Sequence, residues 1–366
     1  MKFWALLLAI LVVSGALSAQ QADWPSFRGD AQRTGVAPGA LPEKLNLKWT
    51  YESGSDIEST AAIVGDTLYI GTKTRGLLAL RLADGHVKWA FTPAGAAFSA
   101  APCVAGNIVY SGDEKGIFHA INAATGRQIW QYKTRDQIIS SAVVIAGRVL
   151  FGSYDYHLYC LDAATGRLHW AFSTEAQVHC SPSVAGTMVF IAGCDGKVRT
   201  INLQTGRQIA AATFDTNLSA APAYAHGYVY LGTLNGIFLA VRAGSRHVQW
   251  QFPEQGQSVS IYASAAVSGN AVIFGSRSGK VYRVDAASGH TQWIFNAMNS
   301  VDSSPVICGD SIFFGTDEGN LYRVRLADGH KLWKFSAGEA IKSSPAIGQG
   351  RLVIGSGDGA IYCFGG

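Results

Sequence analysis

A unit of about 40 residues recurs along almost the whole chain, and this repetition limits the fold more than any other feature of the sequence. Most copies end in a tryptophan, as in the segment 166–170, and one copy has Ala210 instead. Including Ala210, the intervals between these positions are 40, 41, 40, 40, 40, 43 and 40 residues. Because the indoles recur in register, we expect each to pack one unit onto the next. The tryptophans at this position are Trp49, Trp89, Trp130, Trp170, Trp250, Trp293 and Trp333.

Each unit has the pattern of four short antiparallel strands. Its inner strand follows a small-small-Pro/Ala step such as 303–305, and Gly-rich or polar turns separate the later strands. The eighth unit supplies only three strands, and residues 47–51 can supply its fourth from the other end of the chain. The sequence therefore predicts an all-β fold, an eight-bladed β-propeller with four-stranded antiparallel blades, closed by the N-terminal strand 47–51.

The first nineteen residues have the pattern of a cleaved signal peptide. Lys2 precedes an apolar run over 3–13, and small residues follow at 14–19. The run is shorter than the roughly 20 residues of a membrane-spanning helix. Gln20 stands where a lipoprotein would carry its lipidated cysteine. We therefore expect a periplasmic or secreted protein with no lipid anchor and no transmembrane segment after cleavage.

The domain organisation follows from these two patterns. We predict a signal peptide at 1–19, an N-terminal lead-in segment at 20–46 and the propeller at 47–366. The net charge is +4, and the lysines and arginines are spread along the chain without forming a basic run. Nucleic-acid binding is therefore not expected. No histidine pair has metal-ligand spacing, and no metal site is predicted. Of the six cysteines only Cys180 and Cys194 share a repeat, which leaves one disulfide open for consideration.

The repeats resemble those of PQQ-type propellers. The segment 158–170 resembles the tryptophan-docking motif of that family, and 23–29 resembles a lead-in segment found before such repeats; the resemblance covers 47–364. One branch of the family contains quinoprotein dehydrogenases, which hold PQQ and calcium at the propeller axis. The other is non-enzymatic and is typified by BamB-like propellers of outer-membrane protein assembly. In size and short blades the chain is closer to the BamB-like branch.

The chain lacks several sequence features of the quinoprotein dehydrogenases, and this favours the non-enzymatic branch. The blades lack the insertions that enclose a quinone, and the sequence has neither an adjacent cysteine pair nor a haem-attachment motif. We therefore expect no cofactor, and PQQ with calcium only under the alternative of a PQQ-dependent alcohol or sugar dehydrogenase of reduced size.

One position differs in chemistry from repeat to repeat, three residues before the Pro/Ala marker of each inner strand. The scaffold does not constrain this position, so we expect it at the mouth of the central channel. A Lys between two carboxylates on consecutive blades predicts an ion-pair cluster of Asp302, Lys342 and Glu58, with a ligand site as the alternative. The candidate ligand- or partner-binding residues are Glu58, Ser99, His179, Tyr262, Asp302 and Lys342; Ile139 and Ser219 complete the ring.

Two irregularities indicate a surface for a protein partner. The loop within 251–257, with Pro253, Glu254 and Gln255, is three residues longer than its equivalents. The outer turns of blades four and five are degraded, which fits either repeat decay or addition of a partner strand. We predict a non-enzymatic scaffold, similar to BamB-like propellers, that binds an envelope protein. The alternatives are the reduced dehydrogenase and a small-ligand or carbohydrate binder at the axis mouth.

Overall fold

Eight four-stranded antiparallel sheets surround one axis in the computed structural model, which describes residues 22–253 and 259–366. This confirms the predicted eight-bladed propeller. The predicted signal peptide lies outside the described residues, as do Glu254 and Gln255 of the predicted partner loop, and Pro253 ends a strand. No helix long and apolar enough to cross a membrane occurs in the described part of the chain.

Within each blade the strands follow chain order from the axis outwards. The first strand of the chain is β1 (Asn46–Glu52). Blade 1 contains β2 (Ala62–Val64), β3 (Thr67–Gly71), β4 (Leu77–Arg81) and β5 (Val87–Phe91). Blade 2 contains β6 (Cys103–Ala105), β7 (Ile108–Gly112), β8 (Ile117–Asn122) and β9 (Gln128–Lys133). Blade 3 contains β10 (Val143–Ile145), β11 (Arg148–Ser153), β12 (His157–Asp162) and β13 (Leu168–Ser173). Blade 4 contains β14 (Ser183–Ala185), β15 (Met188–Ala192), β16 (Lys197–Asn202) and β17 (Gln208–Thr213).

The second half of the ring repeats this arrangement. Blade 5 contains β18 (Ala223–Ala225), β19 (Tyr228–Gly232), β20 (Ile237–Arg242) and β21 (Val248–Pro253). Blade 6 contains β22 (Ala266–Ser268), β23 (Ala271–Gly275), β24 (Lys280–Asp285) and β25 (Thr291–Asn296). Blade 7 contains β26 (Val306–Cys308), β27 (Ser311–Gly315), β28 (Asn320–Arg325) and β29 (Lys331–Ser336). Blade 8 contains β30 (Ala346–Gly348), β31 (Arg351–Gly355) and β32 (Ala360–Gly365).

The ring is closed by pairing the two ends of the chain. Strand β1 lies antiparallel to β32 and forms the outer edge of blade 8, with Trp49 opposite Cys363. The predicted strand 47–51 is therefore confirmed and is one residue longer at each end. Because the last blade takes strands from both termini, no blade is left with an incomplete sheet at the seam.

Most of the tryptophans join one blade to the next through a ring contact and a hydrogen bond. The Trp89 Nε1 donates to the carbonyl of Ala123 at 2.8 Å, and its ring covers Gly126. A Cβ at Gly126 would lie 2.8 Å from that ring, and its φ of 71° also favours glycine. The equivalent donor–acceptor pairs are Trp49 with Leu82, Trp130 with Ala163, Trp170 with Leu203, Trp250 with Ala286, and Trp293 with Leu326.

Two interfaces depart from this pattern. Trp333 is half-buried and packs edge-on against Phe364 at 5.4 Å, without such a hydrogen bond among the described residues. In blade 4, where Ala210 replaces the tryptophan, the Met188 sulfur lies closest to the turn glycine Gly244. Blade 4 nevertheless retains its complete outer strand β17.

The lead-in segment closes one end of the central channel. Residues 22–37 hydrogen-bond through their backbone to the inner strands of six blades, from Trp24 with Ile63 to Ala37 with Ile307, and Ala22 accepts from Gln349 just after the inner strand of blade 8. The remaining blade, blade 3, is reached by the guanidinium of Arg33, which donates to the carbonyl of Ala142 at 2.8 Å. The channel is therefore a pit that opens on one face only, and we call residues 22–37 the plug.

Two arginines of the plug are fully buried and bind backbone carbonyls. Arg28 donates to the carbonyls of Ala265 at 2.7 Å and Ser304 at 3.1 Å. Arg33 donates to the carbonyls of Pro182, Ser141, Ala142 and Phe27. Burial lowers the pKa of Arg28 to about 9 and that of Arg33 to about 10. The many carbonyl acceptors offset the loss of hydration that this burial causes.

The indole hydrogen bond can be tested by substitution at two tryptophans. We expect Trp89→Phe to lower the free energy of unfolding by about 1 kcal/mol, because the Ala123 carbonyl loses its shorter hydrogen bond and keeps only the Tyr69 hydroxyl at 3.4 Å. Trp333→Phe serves as the matched control, because it removes no such bond, and its loss should be clearly smaller. Unfolding midpoints in denaturant measure both, and equal losses would contradict this role of the Nε1 group.

Candidate functional site

The variable inner-strand residues surround the open end of the channel. They lie just before each inner strand and line a pit of about 190 Å³, whose wall also includes Phe27 of the plug. The side chains predicted to lie at the mouth of the channel thus surround one cavity. We call these residues the inner ring: Glu58, Ser99, Ile139, His179, Ser219, Tyr262, Asp302 and Lys342.

A second set of variable residues contacts the inner ring. Each lies in the turn between the second and third strands of its blade, fifteen positions after an inner-ring residue, as Glu114 does after Ser99. Sequence reasoning missed these residues, although reading the position after each Gly-Ser/Thr step would have found six of the eight, all except Glu114 and Cys194. We call them the outer ring: Lys73, Glu114, Tyr154, Cys194, Leu234, Arg277, Asp317 and Gly357.

Arg277 connects blades 6 and 7 at the mouth. Its Nε and Nη2 donate to the Asp302 carboxylate at 2.9 Å and 2.7 Å, and the guanidinium lies 3.9 Å from the centroid of the Tyr262 ring. The hydrogen bond to Asp302 raises the pKa of Arg277. Tyr262, Arg277 and Asp302 thus form one unit. The flat face of the guanidinium stacks on the Tyr262 ring, and its N–H groups donate to the Asp302 carboxylate.

Lys73 and Glu58 form the corresponding pair in blade 1. The Lys73 Nζ lies 3.0 Å from Glu58 and 3.6 Å from Asp56. In blade 2 the Ser99 hydroxyl donates to the Glu114 carboxylate at 2.5 Å. Inner-ring and outer-ring side chains are therefore paired mainly within their own blade or with the adjacent one.

The predicted ion-pair cluster of Asp302, Lys342 and Glu58 is wrong. Both carboxylates bind outer-ring cations, Arg277 and Lys73, whose turns bring them closer than the neighbouring inner strand does. Lys342 is exposed and has no ion pair within the described residues. The charge of Lys342 instead acts on Asp317 of the outer ring, where it opposes the rise in the pKa of that carboxyl.

His179 lies on the side of the mouth that carries no formal charge. Its Nδ1 is 2.7 Å from the Tyr154 hydroxyl, a contact between the inner ring and the outer ring of the preceding blade. Burial lowers the pKa of His179 below its ordinary value of 6.5. The neutral imidazole is therefore the form that this environment favours.

The opposite side of the mouth is charged. Asp317 lies in the outer ring of blade 7, and its Oδ1 is buried without a hydrogen-bond partner. Desolvation and the neighbouring Asp302 raise the pKa of Asp317. At the inner-ring and outer-ring positions, blades 3, 4 and 5 contribute no acidic or basic side chain except His179, so the charged residues of the two rings come from the other five blades.

Cys180 and Cys194, the pair considered for a disulfide, are both free thiols. Cys180 is buried, and its thiol lies 3.5 Å from the carbonyl of Leu218 in the next blade. Burial raises the pKa of the Cys180 thiol well above its ordinary value. This environment favours a protonated thiol in a structural contact.

The mouth does not fit a divalent cation. Among residues 22–253 and 259–366, no three His, Cys, Asp or Glu side chains converge. The two inner-ring carboxylates are already paired with Arg277 and Lys73. The pit of about 190 Å³ is also smaller than the roughly 300–1,000 Å³ typical of ligand pockets. The two inner-ring carboxylates are therefore engaged by cations in this arrangement, and the pit is small for a ligand of the size of a quinone.

Comparison with known proteins identifies the family. A family model described as "Outer membrane protein assembly factor BamB" matches residues 42–146, 136–335 and 277–365. By sequence, no curated protein matches the chain. Fold and repeat together define a PQQ-like β-propeller. The chain belongs to the PQQ-like propeller family represented by that BamB model.

Solved structures from both branches share the fold. BamB from Moraxella catarrhalis is 17% identical, with a TM-score of 0.75, over 88% of this chain and 98% of that one. Quinohemoprotein alcohol dehydrogenase from Comamonas testosteroni is 14% identical, with a TM-score of 0.77, over 95% and 81%. A europium-containing methanol dehydrogenase is 13% identical, with a TM-score of 0.78, over 94% and 98%. At these identities the similarity establishes the fold alone.

The environment of His179 predicts a pH dependence of stability. Because its pKa is lower in the folded than in the unfolded state, the unfolded chain binds the extra proton first as the pH falls below 6.5. We expect the free energy of unfolding to fall between about pH 7 and pH 5 less steeply in His179→Asn than in the wild type.

Chemical unfolding at a series of pH values measures this difference. The exposed His247 provides a matched control, and His247→Asn should retain the wild-type slope. An unchanged slope in His179→Asn would show that burial at the mouth does not influence this imidazole.

Proposed function

We propose that the protein is a non-enzymatic scaffold of the cell envelope, periplasmic or secreted, which binds a partner protein through the face where the pit opens. Its membership of the BamB-represented family supports this proposal. The short blades support it as well, because the loops around the mouth leave the face open instead of enclosing a substrate.

The observation that carries the proposal is an exposed apolar side chain on this face. Met298, in the loop that enters blade 7, is 76% exposed and has a φ of 70°. Left-handed backbone is unfavourable for a residue with a side chain and is found preferentially at functional positions. An exposed, strained methionine has no packing role in the propeller, and methionine adapts readily to the surface of a partner.

Tyr156 is a second exposed residue with unfavourable backbone geometry on the face where the pit opens. It lies in the turn between β11 and β12, is 45% exposed and also has a φ of 70°. The other seven blades have glycine with positive φ at this position: Gly76, Gly116, Gly196, Gly236, Gly279, Gly319 and Gly359. A tyrosine here costs about 1–2 kcal/mol of backbone strain, and its exposed ring is well suited to a protein interface.

Site-specific photo-crosslinking tests the proposal. We expect a photoreactive amino acid at Met298 or Tyr156 to give one discrete adduct in intact cells, identified by mass spectrometry as an outer-membrane assembly component. The matched control is Thr125, an exposed residue in a turn on the opposite face. Equal adducts from both faces, or none from the open face, would contradict the proposal.

The alternative is a reduced PQQ- and calcium-dependent dehydrogenase, which the fold shared with two dehydrogenases keeps under consideration. We expect no shift of the unfolding midpoint on adding PQQ with calcium, because both inner-ring carboxylates are paired. A ligand at 100 times its Kd would stabilise the fold by about 2.7 kcal/mol. A clear shift, together with dye reduction on adding alcohols or sugars, would favour the dehydrogenase.

A further inference from the structure

A ring of hydroxyl groups lies below the inner ring, two residues further along each inner strand. Each hydroxyl accepts a hydrogen bond from the backbone N–H at the same position of the preceding blade, as Ser344 does from Ser304 at 3.0 Å. Blades 2 and 5 have Ala101 and Ala221 here. We call the six residues the hydroxyl belt: Thr60, Ser141, Ser181, Ser264, Ser304 and Ser344.

The protons of these six hydroxyls are not used by the protein. A hydroxyl has one donor and two acceptor positions, and within the described residues no belt hydroxyl donates to a protein acceptor. The preceding residues behave differently: Ser303, for example, donates to the carbonyl of Ser343 at 2.8 Å. All six belt residues line the pit, so their free donors face its interior.

Cations lie on both sides of the belt, and the pKa of Asp317, the outer-ring carboxyl near Lys342, is raised by desolvation and by Asp302. Arg28 and Arg33 bind the backbone carbonyls of Ser304 and Ser141, two belt residues. Within the described residues their guanidinium groups make no hydrogen bond to a carboxylate, although the charge of Asp30 in the plug acts on both. Lys342 at the mouth lacks an ion pair among the described residues. The inner-ring carboxylates are neutralised by Lys73 and Arg277.

We propose that the hydroxyl belt binds a small oxyanion such as inorganic phosphate or sulfate. Hydroxyl groups from six of the eight blades line the pit, and hydrogen bonds to a charged acceptor are stronger than neutral ones. A pit of about 190 Å³ has the volume of about six water molecules at ~30 Å³ each. It therefore holds such an anion with a few waters. The proposal does not depend on the scaffold function.

Calorimetric titration of the mature protein with phosphate and with sulfate, at constant ionic strength in chloride, tests the proposal. We expect saturable binding of one anion per chain. Ser304→Ala and Ser344→Ala should each weaken it by roughly tenfold or more, because each removes a hydrogen bond to a charged group. Ala101 and Ala221 show that the belt position accepts alanine. Lys342→Gln should weaken binding several-fold.

Ser303→Ala is the matched control, because its hydroxyl is buried and already donates to a carbonyl. This variant should bind phosphate and sulfate like the wild type. Circular dichroism verifies that each variant is folded. Absence of saturable binding by the folded wild type, or equal weakening in Ser303→Ala and Ser304→Ala, would overturn the proposal.

Discussion

Hydrogen bonding of the inner strands at the axis is the constraint on which the rest of the structure depends. Eight short strands converge around a channel, and their inward N–H and C=O groups need partners there. Hydroxyls of the following blade satisfy the N–H groups, as Ser344 does for Ser304. Plug residues, above all Arg28 and Arg33, satisfy carbonyls from within the channel. These links connect neighbouring blades at the axis, and the tryptophans connect them at the periphery.

The fold was predictable because its signal is repeated. One copy of the strand pattern is ambiguous, but seven copies in register determine the blade count, and the incomplete eighth unit predicts closure by 47–51. The inner ring was found in the same way, as the position where the copies disagree. The role of the lead-in segment was not predictable, because it occurs once and its contacts with Ile63, Ile307 and other inner strands are all distant in sequence.

The ion-pair prediction failed for a related reason. Order around the ring placed Lys342 between two carboxylates, but it ignored side chains from a different element, the turn between the second and third strands of the same or the preceding blade. Arg277 and Lys73 reach Asp302 and Glu58 from the turns between the second and third strands. Chemistry at the mouth is therefore set by pairs drawn from two rings, and one variable position per repeat gives only half of each pair.

The circular closure has a consequence for how the protein is made. Residues 22–37 close one end of the channel between the eight blades, and β1 completes the blade that contains β32. The first part of the chain to be synthesised thus has its strand partner in the last. Individual blades can form earlier, but until β32 is available β1 has no strand to pair with. Ring closure must therefore follow synthesis of β32, and contacts of such long sequence separation slow folding.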